Sequence, residues 1–300
     1  MHSRSGSLPA TAPFDLQKSL RFIDGVPQIA GEQDTSGGVL TKAVMVDGQT
    51  VGFRISPERD GKAGVYYELF SETPLTNAMA EKLAEQISFY LSLGDDLAPF
   101  YALAAKDPKF YPVAKRQVGL HHVKSWSVFE ITCWALLSQR SQMPVAKRVK
   151  DTMREKFGGS VELDGRTYRA FPDYQTLKTA KVADILAATR NRRNAERISA
   201  LMSSFEDLDE KFLRTAPYEK AEERLKRIKG IGDWSAQFIL FRGLGRIRKI
   251  QLNMGPATKM VEEIYGAEFD PEGIDRLYGE WCGYWSLYLR ADGTTRASSH

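Results

Sequence analysis

The chain has 300 residues, 42% of them hydrophobic, with 42 Lys and Arg against 38 Asp and Glu and a sequence pI near 8.9. That length fits two domains with real cores, and no apolar run approaches the ~20 residues a membrane helix requires. Cys133 and Cys282 lie far apart without metal-ligand spacing, which argues against zinc and iron–sulfur chemistry and suits a reducing cytoplasm.

Residues 1–13 are small and polar and read as a disordered lead-in rather than a signal peptide. Residues 14–94 read as a small α+β domain. Phe14–Ile23 is a short mixed segment, and three strands follow at Val39–Val46, Thr50–Ile55 and Gly64–Phe70. The first two turn at Val46-Asp47-Gly48-Gln49, a hairpin signal. A helix then opens with Thr73 as N-cap and Pro74 in first position, and Met79, Leu83, Ile87 and Leu91 mark its buried face.

Ser92-Leu93-Gly94-Asp95-Asp96 is the expected boundary. Residues 95–290 read as an all-α domain, and 291–300 as a C-terminal tail. Its helices are predicted over Leu97–Lys106, within Asp107–Gln117, and over Ser127–Gln139, Val145–Phe157, Tyr174–Leu177, Val182–Thr189, Asn194–Phe205, Glu219–Ile228, Trp234–Gly243, Pro256–Tyr265 and Ile274–Leu289. Ser127–Gln139 is apolar nearly all round, so it is central. Tyr168–Pro172 reads as an extended loop. The fold class is therefore α+β: an N-terminal antiparallel sheet with a helix, then a helical domain.

The chemistry gathers at Lys229-Gly230-Ile231-Gly232-Asp233, between two helices. The glycines permit a tight turn and bare N–H groups, and those groups open the second helix, where the macrodipole favours an anion. Ile231 can plug the turn. Between Arg224 and Lys249 the basic residues are Arg224, Lys226, Arg227, Lys229, Arg242, Arg246, Arg248 and Lys249, against the one acid Asp233. A local basic field beside a phosphate-sized nest points to nucleic acid. The alternative is a glycine turn between core helices with a solvated basic face.

The stretch Lys229 to Ala236 resembles the helix–hairpin–helix signature of DNA base-excision glycosylases, most of all the 3-methyladenine DNA glycosylase II branch. Phe129-Glu130, Leu137-Ser138-Gln139, Ala170-Phe171-Pro172 and Phe241-Arg242-Gly243 match in the same order, over roughly residues 14–290. The resemblance implies that the helix–hairpin–helix element is 219–243 within the helical domain. It implies a monomer acting on double-stranded DNA with a damaged base, in the cytoplasm at a bacterial nucleoid. Such enzymes flip the damaged base into a pocket lined by aromatic rings, whose faces attract a cationic alkylated purine. They then break its N-glycosidic bond.

By that resemblance the phosphate grip is Gly230, Ile231 and Gly232 with Lys229, Ser235, Arg242 and Arg246. Arg140, with Gln142 next, is the wedge that fills the gap in the duplex. Trp134, Trp234, Trp281 and Tyr284 are the pocket rings. Carbonyls near Lys229 and Ile231 can hold one sodium or potassium ion; no other cofactor or metal is implied. Trp234 occupies the place of the lyase Lys of bifunctional relatives, which implies a monofunctional enzyme.

The family's catalytic Asp, about twenty residues past the hairpin, falls on Asn253. Three readings stay open: an inactivating substitution, a carboxylate moved to Asp233, Glu262 or Glu263, or a protein that binds damaged DNA without cutting it. An RNA-binding module is a weaker rival. Arg190, Arg192, Arg193 and Arg197 read as a solvated run or a second phosphate contact. His121 and His122 read as a loop that touches DNA rather than a metal site.

Overall fold

The computed structural model describes residues 1–249 and 256–297. The chain enters as a strand, β1 (His2–Pro9), and continues through a helix, α1 (Leu16–Asp24), and four strands: β2 (Gln33–Asp34), β3 (Leu40–Val46), β4 (Gln49–Pro57) and β5 (Gly64–Ser71). All pair antiparallel in the order β1-β5-β4-β3-β2. At the β3–β4 turn Asp47 and Gly48 take φ of 53° and 78°, as a two-residue hairpin loop demands.

The N-terminus is not a disordered lead-in. His2–Pro9 lies along the edge of β5, with His2 opposite Ser71 and Pro9 opposite Gly64. Its side chains are mostly exposed, so no alternating pattern marks it. Backbone pairing with an otherwise open edge holds it in place. The segment after it is helical rather than mixed, because Asp15 caps α1 by accepting from the Gln17 and Lys18 amides.

Helices α2 (Asn77–Tyr90), α3 (Ala98–Ala104) and α4 (Tyr111–Gln117) follow. The cap of α2 is Thr76 rather than Thr73; its hydroxyl accepts from the Met79 amide at 3.2 Å. Next come α5 (Val128–Leu137), α6 (Met143–Phe157), the hairpin β6 (Ser160–Leu163) and β7 (Arg166–Arg169), α7 (Tyr174–Leu177), α8 (Val182–Thr189), α9 (Arg192–Glu206), α10 (Glu210–Thr215), α11 (Tyr218–Lys226) and α12 (Asp233–Leu244). Every residue of α5 is buried.

The segment expected as one loop through residue 172 thus begins with a strand. Asp164 and Gly165, at φ 52° and 74°, repeat the turn of the first hairpin. That second hairpin covers the sheet face opposite the main core, through Val161, Leu163 and Tyr168 against Ala43 and Met45. Gly52 lies under it, and any Cβ there would come within 2.9 Å of both Val161 and Leu163.

The chain ends in α13 (Pro256–Ile264), α14 (Pro271–Tyr278) and α15 (Cys282–Ala297). The single helix expected over 274–289 is broken at Gly279, whose φ is 52°. The expected tail is also helical through Ala297.

The cores do not divide at residue 94. One joins the sheet and α1–α4 to Phe241 and the C-terminal helices; the other spans Val128 to Leu244. Polar ties bind the C-terminal segment to the N-terminal half. Arg116 donates twice to Asp292 at 2.8 Å, the Tyr101 and Tyr288 hydroxyls meet at 2.9 Å, and Tyr265 donates to Asp107 at 2.5 Å. Among the described residues no helix is long and apolar enough to cross a membrane.

Candidate nucleic-acid interface

The glycine turn sits where α11 gives way to α12. Gly230 has φ 94°, open to glycine at little cost. Ile231 is 5% exposed and plugs the turn from inside, as its apolar character suggests. Gly232 is the N-cap of α12, and no side chain caps it. The first-turn N–H groups therefore face outward with the positive end of a 12-residue helix behind them.

Gln139, just past the C-terminus of α5, holds this turn. Its amide donates to the Gly230 carbonyl at 2.6 Å and to the Ser235 hydroxyl at 3.1 Å. Ser235 is buried and engaged with Gln139, so it supports the turn rather than meeting DNA. The same linkage sets Arg140 beside the glycines; Arg140 is exposed, with φ 54°. Ser138, Arg140, Gly232 and Trp234 line one shallow concavity here. Gln142, also exposed, is the N-cap of α6.

The basic field is redistributed by the fold. Arg242 is 2% exposed, its guanidinium 5.4 Å from the Phe22 ring centroid, and it cannot reach a phosphate at the turn. Arg246 donates to the carbonyls of Leu213, Arg214 and Ala216, which fastens the ends of α10 and α12 together. Lys226 pairs with Asp233 at 2.6 Å, Lys249 with Glu222 at 3.0 Å and Arg248 with Glu219 at 3.7 Å. Lys229 and Arg227 remain exposed.

The charge that replaces them comes from α9. A methyl group at Gly230 would lie 3.4 Å from Nε of Arg197. Partial burial, then the nearby Arg193 and Arg140, push the Arg197 guanidinium below its ordinary value. Three arginines from two segments thus converge beside the turn, a like-charge cluster that an anion would relieve. Sequence reading found this run but could not place it; the only signal was its charge density.

The four expected pocket rings are not brought together. Trp134 is buried and lines a narrow cavity with Trp126. Trp234 is 49% exposed and stacks on Phe238, with centroids 5.1 Å apart. Trp281 stacks on Phe100 at 6.3 Å, and Tyr284 is in the core, donating to Asp95 at 2.6 Å. A cleft of about 340 Å³, walled by Phe129, Phe171, Tyr174 and Phe205, opens at the start of α5, the end away from Arg140. His121 and His122 are fully buried and do not reach DNA; the ring nitrogens of His121 lie 2.7 and 3.0 Å from the Ser92 and Pro13 carbonyls.

Asn253 lies outside the described residues. The alternative carboxylates Asp233, Glu262 and Glu263 are all exposed, and the first and last are paired with Lys226 and Arg296. Among the described residues no group of three His, Cys, Asp or Glu side chains is placed to hold a metal ion. The Gly230 carbonyl, between the two proposed for a monovalent cation, is taken by Gln139.

No family model matches the chain. It is 32% identical over 174 residues to a DNA-3-methyladenine glycosylase of Bacillus subtilis, an alignment spanning 57% of each chain, little more than half of that relative. Among solved structures, a 3-methyladenine DNA glycosylase from Archaeoglobus fulgidus superposes with a TM-score of 0.74 at 22% identity, covering 96% of this chain and 98% of that one. The chain therefore shares the fold of that glycosylase along almost its whole length. The 8-oxoguanine glycosylase/lyase of Clostridium acetobutylicum, in complex with double-stranded DNA, shares the fold at a TM-score of 0.68 and 17% identity, covering 96% and 93%. In this shared fold, the hairpin is the turn at 229–232 and the sheet domain is β1–β5.

The two hairpin glycines are separable. Gly230→Ala forces a side chain into the left-handed region and against Leu136 at 3.2 Å. It should cost ~1–3 kcal/mol in a denaturant titration. At Gly232 a methyl group meets nothing within 4 Å, so Gly232→Ala should fold normally, and any loss of DNA affinity there reports close approach by a phosphate.

Proposed function

We propose that this protein is a monofunctional DNA glycosylase that flips an alkylated purine from duplex DNA and hydrolyses its N-glycosidic bond. The observation that carries the reading is the coupling of the uncapped hairpin to the exposed Arg140 through Gln139. One rigid unit thereby offers N–H groups for a phosphate and a long side chain for the vacated duplex position. The 3-methyladenine glycosylase activity of the Bacillus subtilis relative and of the Archaeoglobus fulgidus structure supports an alkylated purine as the substrate.

Lys229, Arg193 and Arg197 supply non-specific affinity in this reading. Replacing Lys229 or Arg197 with Ala should weaken damaged and undamaged duplex about equally and lower the salt slope of binding by ~1 each. Fluorescence anisotropy at several salt concentrations checks this; an unchanged slope for both would remove the hairpin face from the interface.

Asn253 favours a second reading, a protein of the same fold that binds damaged DNA without excision. Release of 3-methyladenine or 7-methylguanine from duplex DNA decides between them. Base release by the purified protein sustains the first. Binding without release, in the protein and in Asn253→Asp alike, leaves only the second.

A further inference from the structure

Where the sheet meets α5 and α12, a narrow cavity of about 20 Å³ leaves room for one occupant of the size of a water molecule or a small ion. Its wall carries the cations Lys42, Lys124, Lys150 and Arg242 against one carboxylate, Glu130. A second carboxylate, Glu32, lies behind the wall and pairs with Lys42 at 3.6 Å and Lys150 at 2.8 Å. Asp95 offsets Lys124, which leaves one positive charge over in a region where the four cations, Glu130 and Glu32 are all buried. Uncompensated buried charge is among the costliest features a fold can carry.

The surplus has a definite location. Arg242 is buried, and its Nε and Nη1 make no hydrogen bond to any described residue. No carboxylate among the described residues faces it; burial and Arg290 push its guanidinium down to about 9. The Tyr90 hydroxyl, on the same cavity wall, is likewise without a partner among the described residues. Lys124 is pushed down to about 8, chiefly by burial. A water molecule would satisfy hydrogen bonds but leave the charge. Phosphate and sulfate exceed the space.

We infer that this cavity binds one small, weakly hydrated monoanion, chloride under ordinary conditions, held by the guanidinium of Arg242 and the hydroxyl of Tyr90. The ion links the sheet domain, through Lys42 and Tyr90, to the helical domain, through Lys150 and Arg242. It is separate from the hairpin phosphate grip, whose residues line a different surface, and the inference stands whether or not the protein excises bases.

The test uses the full chain at constant ionic strength, with chloride, bromide or gluconate as the only anion. Gluconate is too large to enter. The midpoint of thermal unfolding should rise by ~3–5 °C in chloride relative to gluconate. Bromide should quench the fluorescence of Trp126 and Trp134, which line the cavity, along a saturating curve. Tyr90→Phe should weaken that saturation ~10-fold, the loss of one hydrogen bond to a charged group, and Arg242→Met should abolish it. If Arg242→Met does not fold, Tyr90→Phe still decides. Equal midpoints in chloride and gluconate, or bromide quenching that never saturates and is the same in Tyr90→Phe, would overturn the proposal.

Discussion

Asn253→Asp is expected to release 3-methyladenine from duplex DNA faster than the protein itself, by on the order of 10²–10³-fold. As the glycosidic bond breaks, positive charge grows on the sugar. A carboxylate positioned there lowers the barrier, whereas the nearly isosteric amide of Asn offers only a dipole. The gain should appear in the single-turnover rate with little change in duplex affinity, because the interaction exists only as charge develops. Cationic alkylated bases are good leaving groups, so a slow background rate is expected even with Asn253. If the two proteins cleave at equal rates, Asn253 does not occupy the place of a catalytic carboxylate.

Lys150→Met should destabilise the fold strongly. The Lys150 side chain is 3% exposed, donates to Glu32 at 3.0 Å and pairs with Glu130 at 2.7 Å. Removing it strands carboxylates inside the protein at a cost of ~3–5 kcal/mol. For a chain of this length that lowers the unfolding midpoint by on the order of 10 °C. The double variant Lys150→Met/Glu130→Met should recover at least half of the loss, because Glu32 keeps Lys42 at 3.6 Å and Lys147 at 3.7 Å. A double variant no better than the single one would show that the cost is packing, not charge.

The same cluster sets an acid limit. Burial alone would raise the Glu32 carboxyl, but Lys150, Lys42 and Arg154 override it and hold it near 2, from an ordinary 4.5. A carboxylate lowered by folding stabilises fully above 4.5 and loses that contribution as pH falls towards 2. Unfolding midpoints should therefore fall more steeply across that window for the natural chain than for Glu32→Gln.

Lys150 also shows what sequence reading misses and why. It falls on the buried stripe of α6, between Ala146 and Met153. A lysine at an apolar position is a signal, but its partners Glu32 and Glu130 lie 118 and 20 positions away in the chain. Arg242 and Arg246 are the converse case. Both belong to a stretch whose charge density suggested a phosphate-binding face, yet one points into the core and the other clasps three carbonyls. Charge count along a segment says nothing about which helical face a side chain occupies once the helix is packed.

What the sequence by itself determined are the features set within a few residues. The Asp47-Gly48 turn, the glycine hairpin plugged by Ile231, the buried α5 and the α+β order all follow from φ preferences and apolar periodicity, which act locally. Tertiary structure alone decided the rest. It placed β1 on the sheet edge, returned α15 to the N-terminal core, tied Gln139 to Gly230, and put Arg197 beside the hairpin. Each depends on a contact across tens to hundreds of residues, where the gain is desolvation or backbone pairing that no local pattern records.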